Sequence, residues 1–443
     1  MTSRVSRVSR RKFLKTTAAG TAAAAGGMAG ILASGRAPAI AQVTEVHWLR
    51  WNDFVPTCDK LIREKLAPEA EKALGIKVKF ETVNGNDLQP RITSGIQSGA
   101  GPDLIMLFNN HPHLYHNSLA DLSDVADAIG KEQGGYYGVS EGNCKVGDKW
   151  VAMPMAIVGA LNAYRKSWFA EVGANSFPQT WDAYRDVGKK LKAKGTPLGQ
   201  ALGQSFGDPP TFAYPFLWSF GGAEVDEKGQ VVINSKDTVE AVKFMTAMWK
   251  DSFDEGGLAW DDASNNRAFL AGEISSTLNG ASIYLLANRE KGKYLTDKKE
   301  ELASDILHAE LPAGPKGKFA FHTFQSHVMP SYSKNQKAAK ELLMFLHKKE
   351  NYEQWFQMGL GFDTPGTKSW ETHPMWDKDP VMKPFAVAGK LGATPGRAGP
   401  PNAKAAEVLS KYLIVNMFAS AIKGASAEDV VKACEAELKK IYV

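Results

Sequence analysis

The chain has 443 residues, with 53 lysines and arginines against 48 acidic residues and only three cysteines. The basic excess sits in the first 41 residues, which carry seven basic side chains and no acidic one. The remaining 402 residues hold 46 basic and 48 acidic groups, a balance that excludes a basic nucleic-acid-binding surface or attraction to an anionic membrane. Cys58, Cys144 and Cys434 are far apart and form no C-x-x-C, so neither a disulfide framework nor a zinc site is indicated, although one bridge stays open.

The chain opens with Ser9-Arg10-Arg11-Lys12-Phe13-Leu14-Lys15, a twin-arginine export signature. An Ala/Gly-rich stretch follows from Thr16 to Ser34, and Ala39-Ile40-Ala41 gives the small-x-small pattern of a signal-peptidase site. Residues 1–41 are therefore expected to be a Tat signal peptide, with the Tat translocase as a partner during export. No cysteine follows the cleavage site, which argues against a lipid anchor. The mature protein, from Gln42, is expected to be soluble and periplasmic.

Val43–Leu49 alternates like a first strand and ends in Arg50-Trp51-Asn52-Asp53-Phe54. The pattern predicts a helix over 57–74 closed by Gly75, a strand over 76–80, a helix over 87–98, and a buried apolar strand at Asp103–Leu107. Strand–helix–strand–helix–strand at this spacing predicts α/β architecture, with ligands beyond the carboxyl ends of the strands. Trp150–Tyr164 reads as an extended apolar crossing. Thr180 then caps a helix carrying Trp181, Tyr184, Val187 and Leu191 at helical spacing. An aromatic stretch opens at Pro209-Pro210-Thr211-Phe212-Ala213-Tyr214, and Ser235 caps a helix through Trp249. A strand-like run precedes Asn279-Gly280-Ala281-Ser282, and residues 319–329 look extended. Helices are expected over 337–347, 403–422 and 426–442, the last with Ser426 and Asp429 as a capping pair.

Four of these stretches together resemble the bacterial extracellular solute-binding proteins, family 1, the receptors of sugar-type ABC importers. They are Ile96–Phe108, Gly147–Leu191, Phe216–Gly222 and Leu311–Phe324. The resemblance implies a two-lobed periplasmic-binding-protein fold of type II, each lobe a sheet flanked by helices, joined by crossing hinge strands. It divides the mature chain into a first lobe of 42–155 plus 319–360 and a second of 156–318 plus 361–443. It implies a monomer that captures a small carbohydrate or polyol between the lobes and docks on an inner-membrane permease. No cofactor, metal or catalytic residue is implied.

Carried over position by position, the resemblance places ligand contacts at Trp51, Asn52 and Asp53, and at Phe108, Asn109 and His111. The second lobe contributes Thr211, Phe212, Tyr214, Asn279 and Ser282, with His322 and Thr323 near the returning strand and Arg397 in a late Pro/Gly loop. Ser282 stands where sugar receptors often carry Trp, and His322-Thr323-Phe324 where many carry Gly-Gly. Flat aromatic faces suit the C–H faces of a sugar ring, while Asn, Asp, His and Arg replace the hydration of hydroxyls. Residue by residue, alternatives remain. Trp51, Phe212 and Tyr214 suit the core as well as the cleft, Asp53 a helix cap, and Arg397 a solvated loop.

Three other readings compete. Polyamines and organic anions are non-sugar ligands a receptor of this fold could hold. His111, His113 and His116 have a spacing that could hold a transition metal, though no carboxylate or cysteine completes the set. Gly203-Gln204-Ser205-Phe206-Gly207 matches the hydrolase nucleophile elbow, but Pro197 precedes and Asp208-Pro-Pro follows, where a strand and a helix are required.

Overall fold

The computed structural model describes residues 44–443, so the expected signal peptide lies outside the described residues. Two sheets organise the chain, and each strand's burial explains its place. β1 (Glu45–Trp51), β2 (Lys77–Val83) and β3 (Leu104–Phe108) pair in parallel, with β1 between the other two. β3 is buried at every position, which suits an inner strand covered on both faces. A small hairpin of β4 (Lys145–Val146) and β5 (Lys149–Trp150) leads into β6 (Met153–Val158). β10 (Thr323–Val328) is inserted antiparallel between β3 and β6, giving the order β2-β1-β3-β10-β6. The second sheet has β7 (Leu161–Arg165) at its centre, antiparallel to β8 (Ser276–Asn279) and β9 (Ile306–Ala309).

The apolar run expected as one crossing is thus two strands in two sheets, separated by Gly159-Ala160. The chain returns between Ala309 and Thr323. Residues of β7 alternate between faces. Ala163 packs into the core around the first sheet, whereas Tyr164 packs into a second, aromatic core with Phe169, Phe177, Trp181, Phe212, Phe216 and Trp249. The buried apolar side chains of residues 361–443, grouped in one lobe by resemblance, divide between the two cores. Phe362, Trp370, Trp376 and Phe385 join the first, and Val408, Phe418, Val431 and Leu438 the second. The reason is local pairing: Thr364 exchanges backbone hydrogen bonds with Ile157 (2.7 and 3.0 Å) and so holds its segment along β6.

Helix ends follow the capping residues. Gly75 and Gly99 close the helices before β2 and β3 with φ of 68° and 67°. The predicted 57–74 helix spans Pro56–Leu61, a π-helical turn at Ile62–Leu66, and Ala67–Leu74. Thr180 Oγ1 accepts from the Ala183 amide (3.2 Å), and Ser426 Oγ accepts from the Asp429 amide (3.1 Å) while donating to its carboxylate (2.7 Å). Two expectations change. Asp208-Pro-Pro opens a helix, Asp208–Phe220, because proline in the first turn lacks only an amide that would be unpaired there. The single helix expected over 403–422 is two, Ala403–Ser410 and Leu413–Ile422, broken at Tyr412 with φ +54°. All three cysteines are buried and unbridged.

The Ser235 hydroxyl accepts from the Thr238 amide (3.2 Å) at the start of Lys236–Ser252, a helix of the second core. Ser235→Ala is expected to lower unfolding stability by about 1 kcal/mol. Urea denaturation should show the shifted midpoint with an unchanged slope.

Candidate binding cleft

The strand ends that meet between the sheets bring side chains from both sheets around one cavity. From the first sheet come Trp51 at the end of β1, Val158 at the end of β6, and Thr323 at the start of β10. From the second side come Asn279 and Ser282, flanking Gly280, and the Phe206–Asp208 turn with Asp262. The open space is about 30 Å³, room for roughly two water molecules. Phe206 fills most of what would otherwise be a wider gap. Its ring stacks on Phe108 (4.2 Å between centroids, 8° between planes) and meets Trp51 edge-on at 5.6 Å. Gly85 permits this seat, since a Cβ there would lie 2.3 Å from the Phe206 ring. Gly280 likewise lets the Asn279 turn approach, since its Cβ would meet Val158 at 2.7 Å and Phe362 at 2.9 Å.

The walls differ in chemistry. On the side of the first core, Trp51 is surrounded by Phe54, Phe108 and Phe362, with Phe362 nearly parallel to it. On the other side is a hydrogen-bonded polar floor. Asn279 Nδ2 donates to Asn266 Oδ1 (2.6 Å), Asn279 Oδ1 accepts from Ser282 Oγ (3.0 Å), and Asn265 Nδ2 donates to Asp208 Oδ2 (2.7 Å). Asp262 accepts from the amides of Asp208 (2.7 Å) and Gly207 (3.2 Å), fixing the turn that carries Phe206. Burial pushes the Asp262 carboxyl up to about 6, and burial followed by the neighbouring Asp262 charge raises that of Asp208.

The family description "bacterial extracellular solute-binding protein" belongs to the sequence pattern that matches residues 59–353, well over half of the chain. The chain belongs to this family. Over a stretch of 136 residues it is 29% identical to the diacetylchitobiose binding protein DasA of Streptomyces coelicolor, a match covering 29% of this chain and 31% of that protein's length. Among solved structures, maltose-bound MalE3 of T. maritima superposes with a TM-score of 0.76 at 22% identity, over 90% of this chain and all of the other. A sugar transporter protein of Arthrobacter chlorophenolicus with bound laminaribiose gives 0.74 at 19% identity, over 90% and 99%. The fold is the two-lobed α/β fold of these binding proteins, with the cavity between the two sheets.

Of the residues singled out by sequence, this solute-binding protein brings Trp51, Asn279, Ser282 and Thr323 together around the cavity, with Phe108 behind Phe206. His322 and Arg397 line a neighbouring cavity of about 300 Å³, with Ala160 and Phe319. There His322 Nδ1 accepts from the Ala160 amide (3.0 Å), and the Arg397 guanidinium lies 4.4 Å from the Phe319 ring centre. Asn52 is exposed. Asp53 is buried off the cavity, and Oδ1 accepts from the Val55 amide (2.8 Å) just before a helix. Its other oxygen lies 3.8 Å from Arg50, which with Gln325 and Asp363 completes a buried polar group. Asn109, at φ +47°, uses its backbone and Oδ1 to hold Phe324 (2.8 and 2.9 Å). Thr211, Phe212 and Tyr214 lie inside the buried helix, where Thr211 Oγ1 donates to the Asp208 carbonyl (3.1 Å) and both aromatics fill the second core.

The histidine run does not converge. His113 and His116 hydrogen-bond to the Gly142 and His113 carbonyls. Among the described residues, the group with metal-like spacing is Asp53, Cys58 and Asp363, beside which Arg50 already supplies positive charge. Ser205 lies next to Asp262, a helix does follow its turn, but no strand precedes it. Sequence reasoning passed over Phe206, Asp208, Asp262 and Phe362, whereas the strand-end rule pointed at the loop that carries Phe54. The Asp-Pro-Pro helix start was the signal available for Asp208.

His111 is buried with neither ring nitrogen hydrogen-bonded, and burial lowers it to about 4. A folded-state value below the unfolded one means the unfolded chain binds more protons between these values. Stability is then full above about 6.5 and falls as pH drops below it. His111→Asn is expected to remove that loss. Relative to pH 7.5, the variant should gain about 2 kcal/mol on the wild type at pH 5 in paired urea titrations.

Proposed function

We propose that this solute-binding protein is the periplasmic receptor of an ABC importer and captures a small carbohydrate or polyol between its lobes. The observation that carries the proposal is the chemistry of the walls that meet at the cleft, whose gap of about 30 Å³ has to widen to admit a sugar ring. An aromatic wall from the first core faces a hydrogen-bonded Asn/Ser/Asp floor on the side of the second sheet, the pairing of surfaces that a sugar ring needs. The relatives described by name as binding diacetylchitobiose, maltose and laminaribiose support the same ligand class. In this reading the twin-arginine segment exports the chain, the mature protein acts as a monomer, and no bond of the ligand is made or broken. The lobes exchange chain at Gly159-Ala160, between Ala309 and Thr323, and again between Ala388 and Val408, and the first two crossings lie against the cleft.

Closure follows from the geometry. A ligand that touches Trp51 on one side and Asn279 on the other makes both sets of contacts only when the lobes are together. Its binding energy therefore draws the population to that state. The closed surface is then what the inner-membrane permease recognises.

A thermal-shift screen of the chain from Gln42 against neutral sugars, sugar acids, polyols and amines tests the proposal. One sugar class should raise the melting temperature in a concentration-dependent way, reaching about 2.7 kcal/mol of stabilisation at a hundred times Kd. Stabilisation by no sugar or polyol, or turnover of a sugar, would overturn it. Phe206→Ala should weaken binding of the stabilising sugar by about 1–2 kcal/mol, measured by calorimetry, because it removes one aromatic face from the cleft.

A further inference from the structure

Asp208 and Asp262 line the same cavity, and the Asp262 carboxylate reaches the Asp208 amide at 2.7 Å. Their hydrogen bonds come from neutral donors: two backbone amides on Asp262, and the Asn265 amide on Asp208. Among the described residues no lysine, arginine or histidine forms an ion pair with either carboxylate. Arg267 pairs only with the adjacent Asp261, at 3.9 Å. The contrast with the first core is direct, because there the buried Asp53 has Arg50 at 3.8 Å. Two carboxylates withdrawn from water without a counter-charge are costly, and they repel one another as well. Either a proton or a cation relieves that cost.

The rest of the cavity favours a cation of a particular kind. Trp51, Phe54, Phe206 and Phe362 line the cavity together with the carboxylates, and aromatic faces attract ammonium groups. Trp51 lines this cavity, is 2% exposed, and keeps an indole Nε1 with no hydrogen-bond partner, a buried donor that an oxygen of the ligand can satisfy once the cleft opens to admit it. We infer that the cleft ligand bears a protonated amine seated between Asp208 and Asp262 and at least one hydroxyl or carbonyl oxygen directed at Trp51, which describes an amine-bearing sugar. This inference rests on the sugar-receptor reading above and narrows it. A neutral sugar would leave the carboxylate pair to be neutralised by a proton alone, and a simple polyamine would leave the Trp51 donor unpaired.

Calorimetric titration of the chain from Gln42 at pH 7 tests it with four probes: the free-amine disaccharide chitobiose, its N,N′-diacetyl form, cellobiose and spermidine. The free-amine sugar is expected to bind about tenfold or more tightly than either neutral sugar, since a charge-assisted contact replaces a neutral one. Asp208→Asn should erase that preference, and Asp262→Asn, measured in parallel, provides the same comparison should the first variant fold poorly. Neutral sugars binding as well as the free-amine sugar, or an amine preference that survives both variants, would overturn the inference and leave the sugar-receptor reading intact. Spermidine bound with no sugar bound would overturn that reading and, with it, the amine-bearing sugar, while keeping the carboxylate pair as a cation seat. Binding of none of the four likewise counts against the inference.

Discussion

The hydrogen bond from the Ala160 amide to His322 Nδ1 (3.0 Å) ties together the two places where the chain changes sheets. Everything about the cleft depends on that junction. Val158 and Thr323, immediately beside it, line the cavity, and Ala160 and His322 line its larger neighbour. The imidazole must be unprotonated at Nδ1 to accept this bond, and burial lowers His322 to about 4, so the contact persists at neutral pH.

Above that junction the lobes play unequal parts. The first presents an aromatic surface held by its sheet, because Trp51 and Phe108 end their strands paired to Val83 and Gln325. The second reaches across with a turn whose tip, Phe206, has no partner of its own in the second core and packs instead against the first. Asp262 holds that turn through backbone amides, so the residue that shapes the loop also charges the cavity. In the proposed function, specificity and closure rest on the same few residues.

Much of this was legible in the sequence where local chemistry decides the outcome. The alternating strand at β1, the apolar β3, and the caps at Thr180, Ser235 and Ser426 all follow from periodicity and capping rules, and the structure has them at those places. The cleft was legible where a residue ends a strand, as with Trp51 and Thr323, or follows one directly, as with Ser282. It was not legible where contact partners are distant. Phe206 and Phe362 belong to loops without periodicity, and their meeting with Trp51 spans more than 150 residues in each case. Phe212 and Tyr214 misled in the opposite direction: an aromatic run after Pro-Pro suits a binding loop, yet the prolines start a helix and bury both rings. Asp53 and Asn109 show a third case, in which a polar residue well placed for a ligand is already committed to the protein's own backbone.

The central claim is that two lobes close on a sugar-class ligand held between the Trp51 wall and the Asn279–Ser282 floor. Small-angle X-ray scattering of the chain from Gln42, recorded with and without a saturating sugar identified by its thermal shift, tests it most directly. A smaller radius of gyration with ligand at one-to-one stoichiometry is expected, and no such change when Phe206→Ala and Trp51→Ala are combined. Saturating binding that leaves the scattering profile of the unsubstituted chain unchanged would contradict it.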